Sequence, residues 1–487
     1  MNYFFYSIVF FAVIGLIFVP LLFKRRLQLD FFTKRALKES AADNPLFFSS
    51  FVMRAAVKTA LRHRCHSALD LLYQGHLVKA ANKLLAYDEQ TALLLKAFYH
   101  PQTAVRYLQR NLRKNPRDTV TAVWLALLLQ AQKSPLAPAA WESVVSEKKL
   151  PIYLKANYLS HLAELALKNG DLKFASSRFY QAARLFGRSR ALYEEAYIYL
   201  RLGTIYRVSF IDDVAETLFL SALKIFRFLD FQKGIAQAFA HLGMLMTGEE
   251  RFNEAEDYFF KAQKIYESSH SVLPLAETEN QLALLYLLQK DYKKSKKLLQ
   301  QAKKKHLLLN NLEGIAFSAD LAANLFWKQN KLTQAIKSAA SAARLYRQND
   351  NVSGFLDSLY LQAQALFKRG DDDEAESVLR QILTVGKQDS GCFYLANAYN
   401  LLGIIYVKRR DLSRAKGLFK QSLDLEQRGV RCNALAVDYA NIGLIELRRG
   451  QKESARKNFQ TALTLAHQAE DEFLEKQIRE HLSDFNN

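Results

Sequence analysis

The residues best suited to do chemistry in this 487-residue chain are few and poorly placed for it. The tightest set of potential metal ligands is His63, Cys65 and His66, but Arg62 and Arg64 stand among them and no carboxylate accompanies them. Local positive charge then opposes a cation. The three cysteines, Cys65, Cys392 and Cys432, form no Cys-x-x-Cys pair, which suits a reducing compartment and speaks against structural zinc or thiol redox work. Cys392 and Cys432 occupy equivalent places in neighbouring repeats, too far apart for the Cα separation below about 7 Å that a disulfide needs. The run Asp371-Asp372-Asp373-Glu374 is acidic enough to attract a cation, yet it precedes a helical segment, where carboxylates meet free backbone N–H groups. No Gly-rich phosphate loop, His-Glu-x-x-His or Gly-x-Ser-x-Gly occurs. The sequence predicts no catalytic residue, no metal and no cofactor.

The elements that position the remaining polar residues are set by a repeat. Ala175, Ala215, Ala255, Ser295, Ala335, Ala375, Ala415 and Ala455 are spaced by 40 residues without insertion or deletion. A pair such as Leu202-Gly203, Leu242-Gly243, Leu282-Ala283 or Leu402-Gly403 precedes each. Between Ala236 and Tyr266, apolar residues recur at helical spacing on both sides of a polar turn at Gly248–Arg251, the pattern of two antiparallel helices. Gly243, Ala255 and Ala262 let the backbones approach while Phe239, Met246 and Phe259 fill the space between them. Eight such units cover 155–474; residues 45–154 read as degenerate helical repeats and 475–487 as a closing helix.

The offsets carried by Leu402, Gly403, Tyr406, Ala415 and Phe419, with Ser422 as a departure, resemble the tetratricopeptide repeat. The usual period is about 34 residues; here the added residues fall in links such as Leu229–Gly234 and Leu309–Gly314, a longer form similar to the repeats of kinesin light chains, Partner-of-Inscuteable spindle adaptors and bacterial peptide-sensing regulators. The resemblance implies an all-α fold, a TPR-type α-solenoid in which helix pairs wind into a right-handed superhelix, with a concave groove for a partner segment. On each first helix, positions five and two before the leucine and two after it share a stripe, which the resemblance makes the groove lining. That stripe contains Gln237, Glu277, Asn280, Asp320, Asn324, Asp357, Gln364, Asn397 and Asn400, and the residue before the leucine adds His161, Arg201, His241, Gln281 and Asn441. Amides can grip a peptide backbone independent of its sequence. Glu277, Asp320 and Asp357 favour a segment bearing Lys or Arg. The Lys and Asn clamp by which some family members hold a terminal carboxylate is not matched, apart from Arg201.

Residues 1–23 carry no charged side chain, and Tyr3 to Phe23 as a helix rising about 1.5 Å per residue spans a hydrocarbon core of about 30 Å. Small residues at a cleavage site are missing, and a basic juxtamembrane segment, 24–44, follows with Lys24, Arg25, Arg26, Lys34, Arg35 and Lys38. The run therefore predicts one transmembrane signal-anchor helix ahead of the solenoid, with the amino terminus out, the repeats cytoplasmic and the basic residues against anionic lipid. Residues 1–154 hold 21 Lys plus Arg against 9 Asp plus Glu, a net of +12 out of the overall +20. The pI near 9.6 raises nucleic acid as a rival partner, but no nucleic-acid-binding motif accompanies it. The expectation is a membrane-anchored, non-enzymatic adaptor that binds a protein or peptide partner, at a bacterial inner membrane rather than an organelle membrane. A peptide-sensing regulator and an organelle import receptor are the alternatives.

Overall fold

The computed structural model describes residues 101–483 apart from 133, 145–149, 387–391, 430, 431 and 470; before 101 it describes 77–87 and a few isolated positions. The expected transmembrane segment 1–23, the basic segment 24–44 with Lys24, Arg25, Arg26, Lys34, Arg35 and Lys38, and His63 and His66 lie outside the described residues. No described helix is long and apolar enough to cross a membrane.

Among the described residues all regular structure is α-helical, and the chain divides into two compact units, Met1–Ser269 and His270–Asn487. The first unit opens with α1 (Leu77–Leu84), α2 (Pro101–Lys114), α3 (Thr119–Ala131) and α4 (Ala137–Glu142). Three antiparallel pairs follow: α5 (Ile152–Lys168) with α6 (Leu172–Ser189), α7 (Leu192–Val208) with α8 (Asp212–Phe228), and α9 (Gln232–Gly248) with α10 (Phe252–Ser268). The second unit stacks five pairs: α11 (Val272–Leu288) with α12 (Tyr292–Leu308), α13 (Leu312–Lys328) with α14 (Leu332–Gln348), α15 (Val352–Arg369) with α16 (Asp372–Gly386), α17 (Cys392–Lys408) with α18 (Leu412–Gly429), and α19 (Cys432–Arg448) with α20 (Lys452–Gln468). Helix α21 (Glu472–Ser483) packs on α20, with Ile478 buried beside Phe459 and Ala462. Each unit is a TPR-like stack of helix pairs.

The residues added to the repeat do not lengthen the link, as the sequence suggested; they lengthen the helices. Between α8 and α9 only Leu229, Asp230 and Phe231 are non-helical. Asp230 takes a left-handed φ of +52°, the Asp230 N–H bonds Arg227 O at 3.0 Å, and the Phe231 N–H bonds Phe226 O at 2.9 Å. This is a Schellman turn, which satisfies helix-end carbonyls in the fewest residues. It also joins helices within a pair: Phe210 has φ +57° and the Ile211 N–H bonds Tyr206 O at 2.9 Å. Left-handed residues therefore recur every 20 residues, at Phe210, Asp230 and Glu250 and again at Lys290, Asn310 and Asn330. Asparagine suits the left-handed region and Phe does not.

Pairing depends on a large side chain standing on a bare backbone. Phe219 and Phe259 are fully buried, and a Cβ added at Gly203 or Gly243 would lie 2.4 Å or 2.8 Å from the ring opposite. Where the glycine becomes alanine the partner shrinks. Ala283 shares its cluster with Leu299, Ala363 with Leu379, and Ala323 with Ala339, where Trp327 fills the remaining space. Ala163 with Phe179 departs from this rule. Ser295 and Ser422 replace the usual alanines without leaving a buried hydroxyl unsatisfied, because they donate to Ala283 O at 2.8 Å and Ala396 O at 2.9 Å. We predict that Gly203→Ala lowers stability by about 1–3 kcal/mol, seen as a lower thermal midpoint. The double variant Gly203→Ala/Phe219→Leu, which copies Ala283 with Leu299, should recover much of the loss. A single variant as stable as the parent would contradict this packing.

Candidate functional site

Of the residues expected to line a groove, His161, Arg201, Gln237 and His241 fall in the first unit; the others fall in the second. Several are turned to a structural use. Asn280 is 2 % exposed and accepts from Ser318 Oγ at 3.0 Å, while its amide nitrogen lies 3.3 Å from His306 Nε2. It therefore cannot meet a partner, and its assignment to the groove lining is corrected. Ser358 Oγ donates to Asp320 Oδ1 at 3.1 Å, and Asn400 Nδ2 to buried Asp438 at 2.5 Å. Each bond joins residues 38 apart, so these side chains tie one first helix to the next. The signal was present in the sequence as hydrogen-bonding types recurring at that separation, but a stripe read on one helix at a time does not reveal it.

What remains accessible in the second unit is acidic. Glu277, Glu313 and Asp357 are exposed and Asp320 is half-buried. The described ion pairs include none of the four. Burial and the charge of Glu313 raise the Glu277 carboxyl above its ordinary value. Burial and the neighbouring Asp357 raise Asp320 to about 6, against the opposing bond from Ser358. Asn324 bonds Asp320 O at 3.1 Å and so braces the helix there. Gln281, Gln364, Asn397 and Asn441 are half-buried; the Asn441 amide nitrogen has no hydrogen-bond partner among the described residues. By contrast, three acids of the run before Ala375 are paired: Asp371 with Arg369, and, reaching α17, Asp372 with Lys408 at 2.7 Å and Asp373 with Arg409 at 2.6 Å. Burial disfavours the Glu376 carboxylate, but Arg409, Arg380 and Tyr406 outweigh it and hold the group at about 2. Asp372, Asp373 and Glu376 are repeat-to-repeat connectors.

The first unit contains a half-open cleft of about 460 Å³ between α3, α4, α5 and α7, lined by Trp141, His161, Glu164, Glu194, Tyr197 and Arg201 among others. Trp141 is fixed by its indole N–H donating to Gln130 at 2.9 Å. Its ring stacks on His161, with centroids 4.4 Å apart and an angle of 8°. Arg201 grips Glu164 through two bonds of 2.7 Å and 2.5 Å, so its charge is compensated within the protein. Glu194 is buried and accepts from Tyr153 at 2.8 Å. Burial and Lys168 lower His161 to about 4. His241 stacks on Phe219 and is lowered to about 4 by burial, Arg207 and Arg201; Gln237 is exposed. Trp141 and Glu194 were not expected from the sequence, because they lie outside the repeated stripe.

The repeated helix pairs, their small-and-large packing and the polar first-helix faces decide the class. Residues 355–428 match the tetratricopeptide repeat family. The chain has the fold of TPR-like helical repeats. Its fold is similar to that of the quorum sensor NprR from B. thuringiensis in its apo form, at TM-score 0.50 and 14 % identity over 73 % of this chain and 99 % of that one. It is also similar to a signal-transduction ATPase with a tetratricopeptide repeat sensor from Pyrococcus horikoshii, at TM-score 0.54 and 11 % identity over 74 % of this chain and 54 % of that one. No curated protein matches the sequence.

The lowered histidines predict acid sensitivity of the first unit. An unfolded chain takes up protons at His161 and His241 below about pH 6.5, whereas the folded chain resists until about 4. The stability they contribute is thus present above pH 6.5 and lost as the pH falls toward 4. We predict that the drop in thermal midpoint between pH 7 and pH 5 is smaller in His161→Phe/His241→Gln than in the parent chain. Equal drops would contradict the lowered values.

Proposed function

We propose that this TPR-type protein is a non-catalytic adaptor whose second unit holds a basic segment of a partner protein along its first helices. The observation that carries the reading is the row of carboxylates, Glu277, Glu313, Asp320 and Asp357, exposed or half-buried and outside the described ion pairs. Desolvation together with Glu313 disfavours the charged form of Glu277, and desolvation together with Asp357 that of Asp320; a lysine or arginine from a partner would offset both. Half-buried Gln281 and Gln364 can contact the segment's backbone. A chain of net charge +20 repels basic peptides at long range, so capture of one requires such a local acidic surface. On the reading of residues 3–23 as a span, the adaptor works at a membrane with its repeats on the cytoplasmic side.

The test is binding of a labelled Lys- and Arg-rich peptide to the full-length chain by fluorescence anisotropy, beside the same peptide with its basic residues replaced by Glu. The basic peptide alone should bind, and Asp320→Lys/Asp357→Lys should weaken it at least tenfold, about 1.4 kcal/mol. Affinity should also fall as the pH drops through about 6, where Asp320 takes up its proton. Equal binding of both peptides, or no loss in the variant, would refute the reading.

A further inference from the structure

The side chains of α12 divide by face. Ser295, Leu299, Ala302 and His306 are buried, at the spacing of one helical stripe. The opposite side is lysine: seven lysines and no acid occupy the helix. Lys294 and Lys305 are engaged, with Asp291 at 3.6 Å and Glu279 at 2.5 Å. Lys293, Lys296, Lys297, Lys303 and Lys304 are exposed and outside the described ion pairs. The stripe ends in exposed leucines: Leu307 is 53 %, Leu308 74 % and Leu309 44 % exposed. Helix α14, one period on, also carries only basic charges, Lys337, Arg344 and Arg347. This basic surface is distinct from the row of acids on α11, α13 and α15.

We propose that the lysine face of α12 docks on an anionic lipid surface, with Leu307 and Leu308 entering the headgroup boundary. Charge complementarity calls for an anionic partner, and the leucines select among such partners. Apolar side chains at the end of a lysine stripe gain by leaving water at a bilayer interface, while the lysines remain among the headgroups. Nucleic acid would leave the leucines in water; the face offers no exposed aromatic ring for base stacking and its charges on α12 are all lysine, without the bidentate fork of arginine. Docking here requires neither the acidic row nor a span at residues 3–23.

The test places an environment-sensitive nitrobenzoxadiazole dye at Leu308→Cys in the full-length chain, with Cys65, Cys392 and Cys432 changed to Ser. The chain is incorporated into vesicles of phosphatidylcholine alone or of phosphatidylcholine with phosphatidylserine. The dye should shift to the blue and brighten only with phosphatidylserine, and raised salt should reverse the change. Lys296→Glu/Lys297→Glu/Lys303→Glu/Lys304→Glu should weaken the response roughly hundredfold or more in lipid titrations. The salt reversal needs no charge variant and so does not depend on that variant's folding. An unchanged spectrum on anionic vesicles, an equal change on phosphatidylcholine, or a response to a DNA oligonucleotide or polyglutamate in place of anionic lipid would overturn the proposal.

Discussion

The array depends on how closely one helix backbone can approach its partner. Where Phe219 or Phe259 stands on Gly203 or Gly243, no Cβ fits between ring and backbone. Where alanine occupies the site, leucine or alanine stands opposite, except at Ala163 with Phe179. Holding this distance nearly constant lets each pair present its first helix to the next in the same way, and Schellman turns of three non-helical residues keep the helices in step. The turn geometry is kept even where Phe210 must adopt a left-handed conformation, so exit direction there outweighs local preference.

That regularity gives equivalent positions different uses. The second-helix site filled by Phe226 over Gly234 and Tyr346 over Gly354 is filled by His306 over Gly314. His306 brings a polar ring into the core, where Asn280 and Asn311 meet it at 3.3 Å each. Asn280 thereby becomes part of the interior. Charge is divided among the helices: in the second unit Glu277, Glu313, Asp320 and Asp357 lie on the first helices α11, α13 and α15, while the second helices α12 and α14 carry no acid. The two proposed partners, a basic segment and an anionic surface, follow from that division.

Much of the fold was legible in the sequence because its periodic signal comes from packing. Ala215, Phe219 and Gly203 announce a close helix contact wherever they recur, and the tetratricopeptide character followed from them. The turns were harder to place: Leu229–Gly234 contains polar residues and a glycine, which resemble a loop, yet Gln232, Lys233 and Gly234 continue the helix. The glycine serves Phe226 above it, not a bend. The candidate site was less legible. Asp357 remains at the surface, whereas the structure uses Asn280, Asp320 and Asn400 between repeats. One-helix stripes cannot separate these cases, since the deciding partner is 38 residues away. The lysine face of α12 is not marked by the repeat, because the recurring offsets specify the packed positions and leave the free side of each helix open.

The account makes the acidic first-helix face the place where a partner is held. A Lys- and Arg-rich peptide carrying a benzophenone side chain, photolysed with the full-length chain and mapped by mass spectrometry, addresses this directly. The account predicts crosslinks concentrated on α13 and α15 near Asp320 and Asp357. Crosslinks on α12 and α14, or spread evenly over both units, would contradict it.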